Sequence, residues 1–190
     1  MKTLKYTFAS LVLAASCLCA GAAQASTMPK AEVDQSSFVF ALGPSIAFDF
    51  KLAPQVSLGG SLGLPFLVEG FNNGINSRYD VRVMYRFLQQ GGFSLSGIFG
   101  VWGNANFSNT TLSRWAGLEL GLGLAYKFTP QLTGRLNLAG GYNFFGRGGS
   151  FNDYYPPSGG FELGYKFNPN LEGTLGYNGQ GDIFGLRWKI

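Results

Sequence analysis

Residues 78–87 read RYDVRVMYRF, and two kinds of side chain alternate along the whole segment. One set is aromatic or branched and apolar: Tyr79, Val81, Val83, Tyr85 and Phe87. The other set is charged apart from its methionine: Arg78, Asp80, Arg82, Met84 and Arg86. Side chains of a β-strand point alternately to opposite faces, so this period of two predicts a strand with one apolar and one polar face.

The same alternation recurs along most of the chain. The further runs are 38–50, 56–66, 93–101, 114–128, 132–144, 161–167, 171–177 and 184–190. Their apolar faces are rich in Leu, Phe, Tyr and Val, whereas the opposite faces carry Gly, Ser, Ala and scattered charges of both signs. An all-β fold built from antiparallel hairpins is therefore predicted.

The composition of the two faces predicts which one points outward. A barrel of about eight to ten strands has room inside only for small side chains or one ligand, so the large apolar set does not fit there. A face of Gly, Ser and Ala is also a poor surface toward water. We therefore predict a transmembrane, antiparallel, up-and-down β-barrel of about eight to ten strands whose apolar face contacts lipid. A soluble barrel that binds an apolar ligand stays open as an alternative.

Five strand ends carry an aromatic–basic–apolar triplet. The triplets begin at Phe50, Tyr85, Tyr126, Tyr165 and Trp188. Aromatic side chains favour the headgroup level of a membrane, so a lower aromatic girdle is predicted at one end of the barrel. Its members are Phe50, Tyr85, Phe87, Tyr126, Phe128, Tyr165, Phe167 and Trp188. The basic residues between them predict a ring at the periplasmic rim: Lys51, Arg86, Lys127, Lys166 and Lys189.

Connection lengths fit this orientation. Turns beside the triplets are short, and the connections at the other end, 69–77, 104–113 and 145–158, are longer and polar, as in outer-membrane barrels. The strand number stays open, because bacterial barrels have even numbers and there are nine runs. A turn at Gly43-Pro44-Ser45 would give ten strands, since proline cannot donate to the ladder, and one run that does not span would leave eight.

The first 25 residues predict a secretory signal peptide. Lys2 and Lys5 precede an apolar stretch, and Ala23-Gln24-Ala25 predicts cleavage after Ala25. Both cysteines lie in this segment, so the mature chain would have no disulfide and no thiol chemistry. Residues 26–37 predict a flexible polar tail, and residues 38–190 a single barrel domain. Cleavage would leave 12 basic and 10 acidic residues of the 14 and 10, a balance that does not indicate nucleic-acid binding.

These features together resemble the small bacterial outer-membrane β-barrel proteins of the OmpA, OmpX and OmpW type. The resemblance is architectural and covers the mature chain. It implies insertion into the lipid of the cell outer membrane. It also implies recognition of the last strand, Phe184 to Ile190, by the barrel-assembly machinery, although the chain ends in Ile190 with its aromatic residue at Trp188. The resemblance implies no oligomeric state.

The chain has no histidine, the side chain best suited to general-base catalysis near neutral pH, so we predict no enzymatic activity and no cofactor or metal. Charges at inward positions predict either a lumen network of ion pairs or a pore lining. They are Asp49, Arg82, Arg86, Glu119, Lys127, Arg135, Glu162, Lys166, Glu172, Arg187 and Lys189. The first reading is a closed barrel with a structural or surface-interaction role, and the second is a small, porin-like passive channel. Glycines 97, 134 and 173, on the lipid face, are predicted to relieve curvature strain.

Overall fold

Ten β-strands close into one barrel in the computed structural model, which describes residues 28–42, 45–63, 76–106, 115–145, 158–178 and 181–190. The strands are β1 Ser37–Ala41, β2 Ser45–Ala53, β3 Val56–Gly63, β4 Asn76–Gln90, β5 Phe93–Asn106, β6 Trp115–Lys127, β7 Leu132–Phe145, β8 Gly160–Asn168, β9 Leu171–Asn178 and β10 Gly181–Lys189.

Every strand pairs antiparallel with its neighbours in the chain, and β1 pairs with β10 to close the barrel. This confirms the up-and-down topology. It also decides the strand number, because the first predicted run is divided into β1 and β2. The division falls at the Gly43-Pro44-Ser45 segment, of which residues 43–44 lie outside the described ranges. The predicted signal peptide and most of each predicted long connection, 69–77, 104–113 and 145–158, also lie outside them.

One end of the barrel carries four short connections, at 54–55, 91–92, 128–131 and 169–170. We call it the tight-turn end. The part of the chain that the structure describes contains no helical segment with the length and apolarity of a membrane span.

The outer face of the barrel is apolar. Among the described residues, 29 large apolar or aromatic side chains are exposed, from Phe50 at 36% to Ile190 at 66%. The inner face carries the charges, and Arg82, Glu119, Glu162 and Arg187 are each at most 1% exposed. This distribution is the reverse of that in a water-soluble domain.

The triplets mark irregularities of pairing at the tight-turn end. The register slips by one residue at Leu52, Phe87 and Phe167, each the third residue of a triplet. A bulge of this kind leaves one residue without a ladder partner and bends the strand. The repeat therefore marks the places where the strands bend into their turns.

The aromatic residues of the triplets cover glycines on the next strand. In the triplets that begin at a tyrosine, the tyrosine and phenylalanine meet edge to face, with ring centroids 5.1 to 5.5 Å apart. A Cβ added at Gly97, Gly134 or Gly173 would stand 2.7 to 2.8 Å from a ring carbon of Phe87, Phe128 or Phe167. These glycines therefore make room for a ring lying along the wall, a more specific role than the predicted relief of curvature strain.

The N-terminal segment lies inside the barrel. Residues 28–36 were part of the predicted flexible tail, but Met28, Lys30, Ala31, Glu32 and Val33 are at most 2% exposed. Ser36 is fixed at the tight-turn end, where its carbonyl accepts a hydrogen bond from Ile190 N at 3.0 Å. Ser37, the last residue of the predicted tail, belongs to β1. The segment thus enters the lumen through the tight-turn end.

Candidate functional site: the filled lumen

Charged side chains of the wall lie across glycines of adjacent strands. The register places Asp49 beside Gly59, and Arg82 between Gly59 and Gly100. A Cβ at Gly59 would stand 2.3 Å from Asp49 Oδ1. Glycine at this inward position therefore gives the neighbouring charged side chain the space to lie along the wall. This is a steric reason for small residues at the inward positions of the alternating pattern.

The β7–β10 cluster is a set of ion pairs on one side of the lumen, formed by Arg135, Glu162, Glu172, Arg187 and Lys189. Arg135 Nη1 lies 2.7 Å from Glu162 Oε1 and 2.6 Å from Glu172 Oε1. Arg187 Nη1 contacts the same two oxygens at 2.8 and 2.9 Å. Lys189 Nζ lies 3.2 Å from Glu172 Oε2. Two carboxylates thus bridge two guanidinium groups and an ammonium.

The N-terminal segment supplies the third carboxylate of this cluster. Glu32 accepts hydrogen bonds from Nε and Nη2 of Arg135, at 2.8 to 3.1 Å. A side-on, bidentate arrangement is the strongest form of an arginine–carboxylate pair. With Glu32 included, three carboxylates face three cations, so the cluster is electrically balanced.

Most of the segment's other contacts run through its main-chain carbonyl groups. Arg187 Nη2 donates to Met28 O at 2.9 Å, Asn137 Nδ2 to Pro29 O at 3.2 Å, and Ser96 Oγ to Ala31 O at 2.5 Å. Arg86 Nη1 donates to Glu32 O at 2.5 Å, and Lys51 Nζ to Asp34 O at 3.0 Å. These donors come from β2, β4, β5, β7 and β10, so the segment runs through the middle of the lumen.

A small apolar cluster holds the middle of the segment. Ala31 and Val33 pack with Met84, Ile98 and Ala125 of the wall, each at most 2% exposed. Val33 has a φ of 43°. This left-handed conformation is unusual for a β-branched residue and costs on the order of 1–3 kcal/mol. The packing and hydrogen bonds around it therefore hold a strained backbone.

The acidic groups of the segment are held in their charged form. Burial alone would raise the pKa of the Glu32 carboxyl, but the adjacent Arg135 guanidinium holds it below its usual value. Burial likewise opposes ionisation of Asp34, and the Lys30 ammonium at 2.8 Å holds its pKa well below the usual range. Lys30 Nζ also donates to Gln35 O at 2.8 Å. These contacts close the segment on itself near the mouth.

A second group of charges, the β2–β6 cluster, contains Asp49, Asp80, Arg82 and Glu119. Arg82 pairs with Asp49, with Nη2 to Oδ1 at 3.2 Å, and with Asp80 through Nη1. Ser61 Oγ donates to Asp80, and Ser158 Oγ donates to Glu119 Oε2 at 2.6 Å. The cluster thus contains three carboxylates and one guanidinium, which contacts two of them. Asp49 Oδ2, Glu119 Oε1 and Arg82 Nε have no hydrogen-bond partner among the described residues.

Trp102 of β5 is buried inside the barrel. Its side chain is 1% exposed, and Nε1 donates to Leu118 O at 3.1 Å. A Cβ at Gly141 would stand 2.5 Å from the indole ring. Glycine at this position therefore lets the indole lie against β7.

The predicted inward charges fall into three places. The β7–β10 cluster contains Arg135, Glu162, Glu172, Arg187 and Lys189. The β2–β6 cluster contains Asp49, Arg82 and Glu119. Three others lie nearer solvent at the tight-turn end, where Arg86, Lys127 and Lys166 are half-buried. Lys51 of the predicted basic ring is exposed, whereas Lys189 is buried. The ring residues therefore differ in environment.

The predicted girdle residues all lie on the outer face. Their exposed fractions run from 36% for Phe50 to 58% for Phe128. Sequence reasoning missed the segment 28–35, and it left Asp80 and Trp102 out of the site. The alternation signals Asp80, which stands at an inward position of the 78–87 strand. No pattern signals the segment, because its fold depends on partners up to 159 residues away.

Neither a protein-family model nor a curated protein matches this chain.

Proposed function

We propose that the chain is an integral β-barrel protein of a Gram-negative-type outer membrane, with no enzymatic activity and with a closed lumen. Its role would be structural or in surface interactions. The apolar outer face around a charged interior carries this proposal. Burying such a face in lipid removes it from water, whereas a lipid-facing cation costs roughly 2–4 kcal/mol at the bilayer midplane.

The lumen contents favour a closed barrel over a passive channel. Side chains of both clusters, the indole of Trp102 and residues 28–33 occupy the interior, and all of them are buried. A porin lumen is instead a water-filled channel. A narrow barrel lined by paired charges and threaded by its own chain is therefore proposed to pass no steady current.

Two features of the chain would direct export and membrane insertion. The predicted signal peptide would export the protein, and β10 would be read by the barrel-assembly machinery. The aromatic girdle at the tight-turn end would then lie at the periplasmic interface, as aromatic belts do. The described residues include no complete long loop, so the surface role rests on the closed barrel alone.

A matched pair of variants tests the lipid contact. Leu120→Arg lies in the middle of β6 on the outer face, and Leu52→Arg lies at the tight-turn end; the two leucines are 59% and 63% exposed. In lipid, the β6 variant would lose roughly 2–4 kcal/mol and the end variant at most about 1 kcal/mol. Refolding into vesicles, followed by carbonate washing and heat-modifiable gel migration, measures insertion.

Equal insertion of both variants, or release of the parent protein by carbonate, would overturn the membrane location. Closure is tested separately in planar bilayers. The inserted parent protein should give no steady unitary current, and reproducible unitary steps would replace the closed barrel with a small channel.

A further inference from the structure

We propose that the lumen contains an exchangeable peptide-binding site whose resident ligand is the chain's own segment 28–35. The ligand class is a short peptide that turns as the segment does at residues 31–33 and carries a carboxylate at the position of Glu32. A peptide of this kind, entering from the tight-turn end, would take the place of the segment when it leaves.

The recognition chemistry is that of a peptide site. The wall binds five main-chain carbonyl groups of the segment, and the donors are Arg187, Asn137, Ser96, Arg86 and Lys51. Carbonyl groups are common to all peptides, so these bonds hold a backbone whatever its sequence. Only Glu32, with its bidentate bond to Arg135, adds a charged side-chain requirement.

The wall is already organised for this ligand. Arg135 and Arg187 are cross-linked by Glu162 and Glu172 without any contribution from the segment. Once the segment leaves, however, the β7–β10 cluster has three cations against two carboxylates. The site thus keeps its shape and attracts one further negative charge. Preorganisation of this kind lowers the cost of binding.

The attachment of the segment permits release. Residues 28–35 belong to no strand, and the segment joins β1 at the tight-turn end, so its departure would break no pairing between barrel strands. Val33 is held in a left-handed conformation that an unbound segment would relax. The segment contributes two small side chains, Ala31 and Val33, to the apolar cluster, and its Met28 is buried outside that cluster.

Binding in trans gives the direct test. A chain lacking residues 28–35 is refolded in detergent, and its folding is verified by heat-modifiable migration. Fluorescent peptides with the sequence MPKAEVDQ, the same sequence with Glu32→Gln, and a scrambled sequence of equal charge are titrated by anisotropy. We expect saturable binding of the first and at least tenfold weaker binding of the other two, because the scrambled sequence places its glutamate away from the position of Glu32.

Equal binding of the native and scrambled peptides would overturn the proposal, and so would no binding to a folded, deleted chain. A second measurement uses the full mature chain in case the deletion prevents folding. Ala31→Cys places a thiol at a side chain that is fully buried in the lumen. Its labelling by a water-soluble maleimide reports departure of the segment.

Glu32→Gln should raise the labelling rate of Ala31→Cys at least tenfold, whereas the matched variant Glu119→Gln, in the β2–β6 cluster, should leave it unchanged. Adding Gly123→Cys provides a lock, since a Cβ at Gly123 would stand 3.2 Å from that of Ala31, and a small shift of the segment brings the pair to the separation of about 3.5–4.5 Å in a disulfide. The oxidised double variant should not label. An unchanged rate with Glu32→Gln, or an equal rise with Glu119→Gln, would contradict exchange. Neither readout depends on the membrane location, so failure here leaves the proposed function standing.

Discussion

The two charged clusters of the lumen differ in how their charges are balanced. In the β7–β10 cluster, three carboxylates, including Glu32, face three cations through short contacts of 2.6 to 3.2 Å. In the β2–β6 cluster, Arg82 is the one cation beside three carboxylates, and it pairs with Asp49 and Asp80. Both clusters contain buried side-chain atoms without a hydrogen-bond partner among the described residues, so the clusters differ in their charge balance.

The difference predicts different responses to substitution. Removing one partner from a balanced buried network leaves charges without compensation, which is strongly destabilising. Removing a carboxylate from a cluster with excess acid instead relieves repulsion. Charged residues of the two clusters are therefore similarly buried but are expected to contribute differently to the free energy of unfolding.

Arg135→Met should have the largest effect. It leaves Glu32, Glu162 and Glu172 with one cation fewer, and breaking a buried pair costs about 3–5 kcal/mol. Urea unfolding of the refolded barrel in detergent, followed by tryptophan fluorescence, measures the loss. The matched control is Lys127→Met, which removes a half-buried cation of the rim. If the two variants lose equal stability, the cluster has no special weight.

Glu162→Gln and Glu119→Gln compare the clusters directly. Glu162 accepts hydrogen bonds from both Arg135 and Arg187. Because one hydrogen bond to a charged group contributes about 1.5–3 kcal/mol, Glu162→Gln should lower the free energy of unfolding by at least that amount. The Glu119 variant should change it by less than about 1 kcal/mol, because the amide can still accept from Ser158. A larger loss for Glu119→Gln would reverse the comparison.

Gly164→Ala and Gly59→Ala test the space around each network. At Gly164 an added Cβ would stand 2.3 Å from Glu172 Oε1 and 2.6 Å from Arg135 Nη1, two groups fixed by their partners. We expect a loss of about 1–3 kcal/mol, as for overpacked cores. At Gly59 the nearest atom belongs to Asp49, whose other oxygen is unbound, so the loss should be smaller. Unfolding free energies of the two variants provide the comparison, and equal losses would contradict it.

Asp34→Asn should have the smallest effect, because the Asp34 side chain is partly exposed at the mouth. We expect a loss of about 0.5–1 kcal/mol at pH 7. The pKa of Asp34 is lower in the folded chain than its ordinary value of 3.8. Its contribution is therefore complete above that value and is lost as the pH falls through the folded pKa. Unfolding at pH 2 to 7 should show the parent and the variant converging in acid; a constant difference would assign the effect to another group.

Period-two alternation was sufficient to predict the strands and which side chains point inward. Pro44, which has no N–H to donate, correctly marked the division that gives ten strands. The ion pairs within the lumen were not predictable, because the alternation indicates which face of the sheet a residue lies on but not its position along the barrel axis. Asp49 and Arg82 meet only through the stagger of β2, β3 and β4.

The segment 28–35 was beyond sequence reasoning for a related reason. It is short and polar, has no period, and belongs to no strand. Glu32 and Arg135 are 103 residues apart, and nothing local to either predicts the other. The strands that form the wall can be predicted from the local alternation of residues. The position of the segment 28–35 depends on contacts that exist only in the closed barrel.

The seam between β1 and β10 has a consequence for the order of folding. β1 has only five residues and is followed closely by a turn, and the segment that fills the lumen is attached directly to its start. Arg187 and Ile190, at the opposite end of the chain, bind Met28 and Ser36. Pairing of β1 with β10 and entry of the segment into the lumen therefore both need contacts between residues far apart in the sequence. Such contacts are the slowest to form. The barrel is expected to complete its assembly from the two chain ends, in one late step.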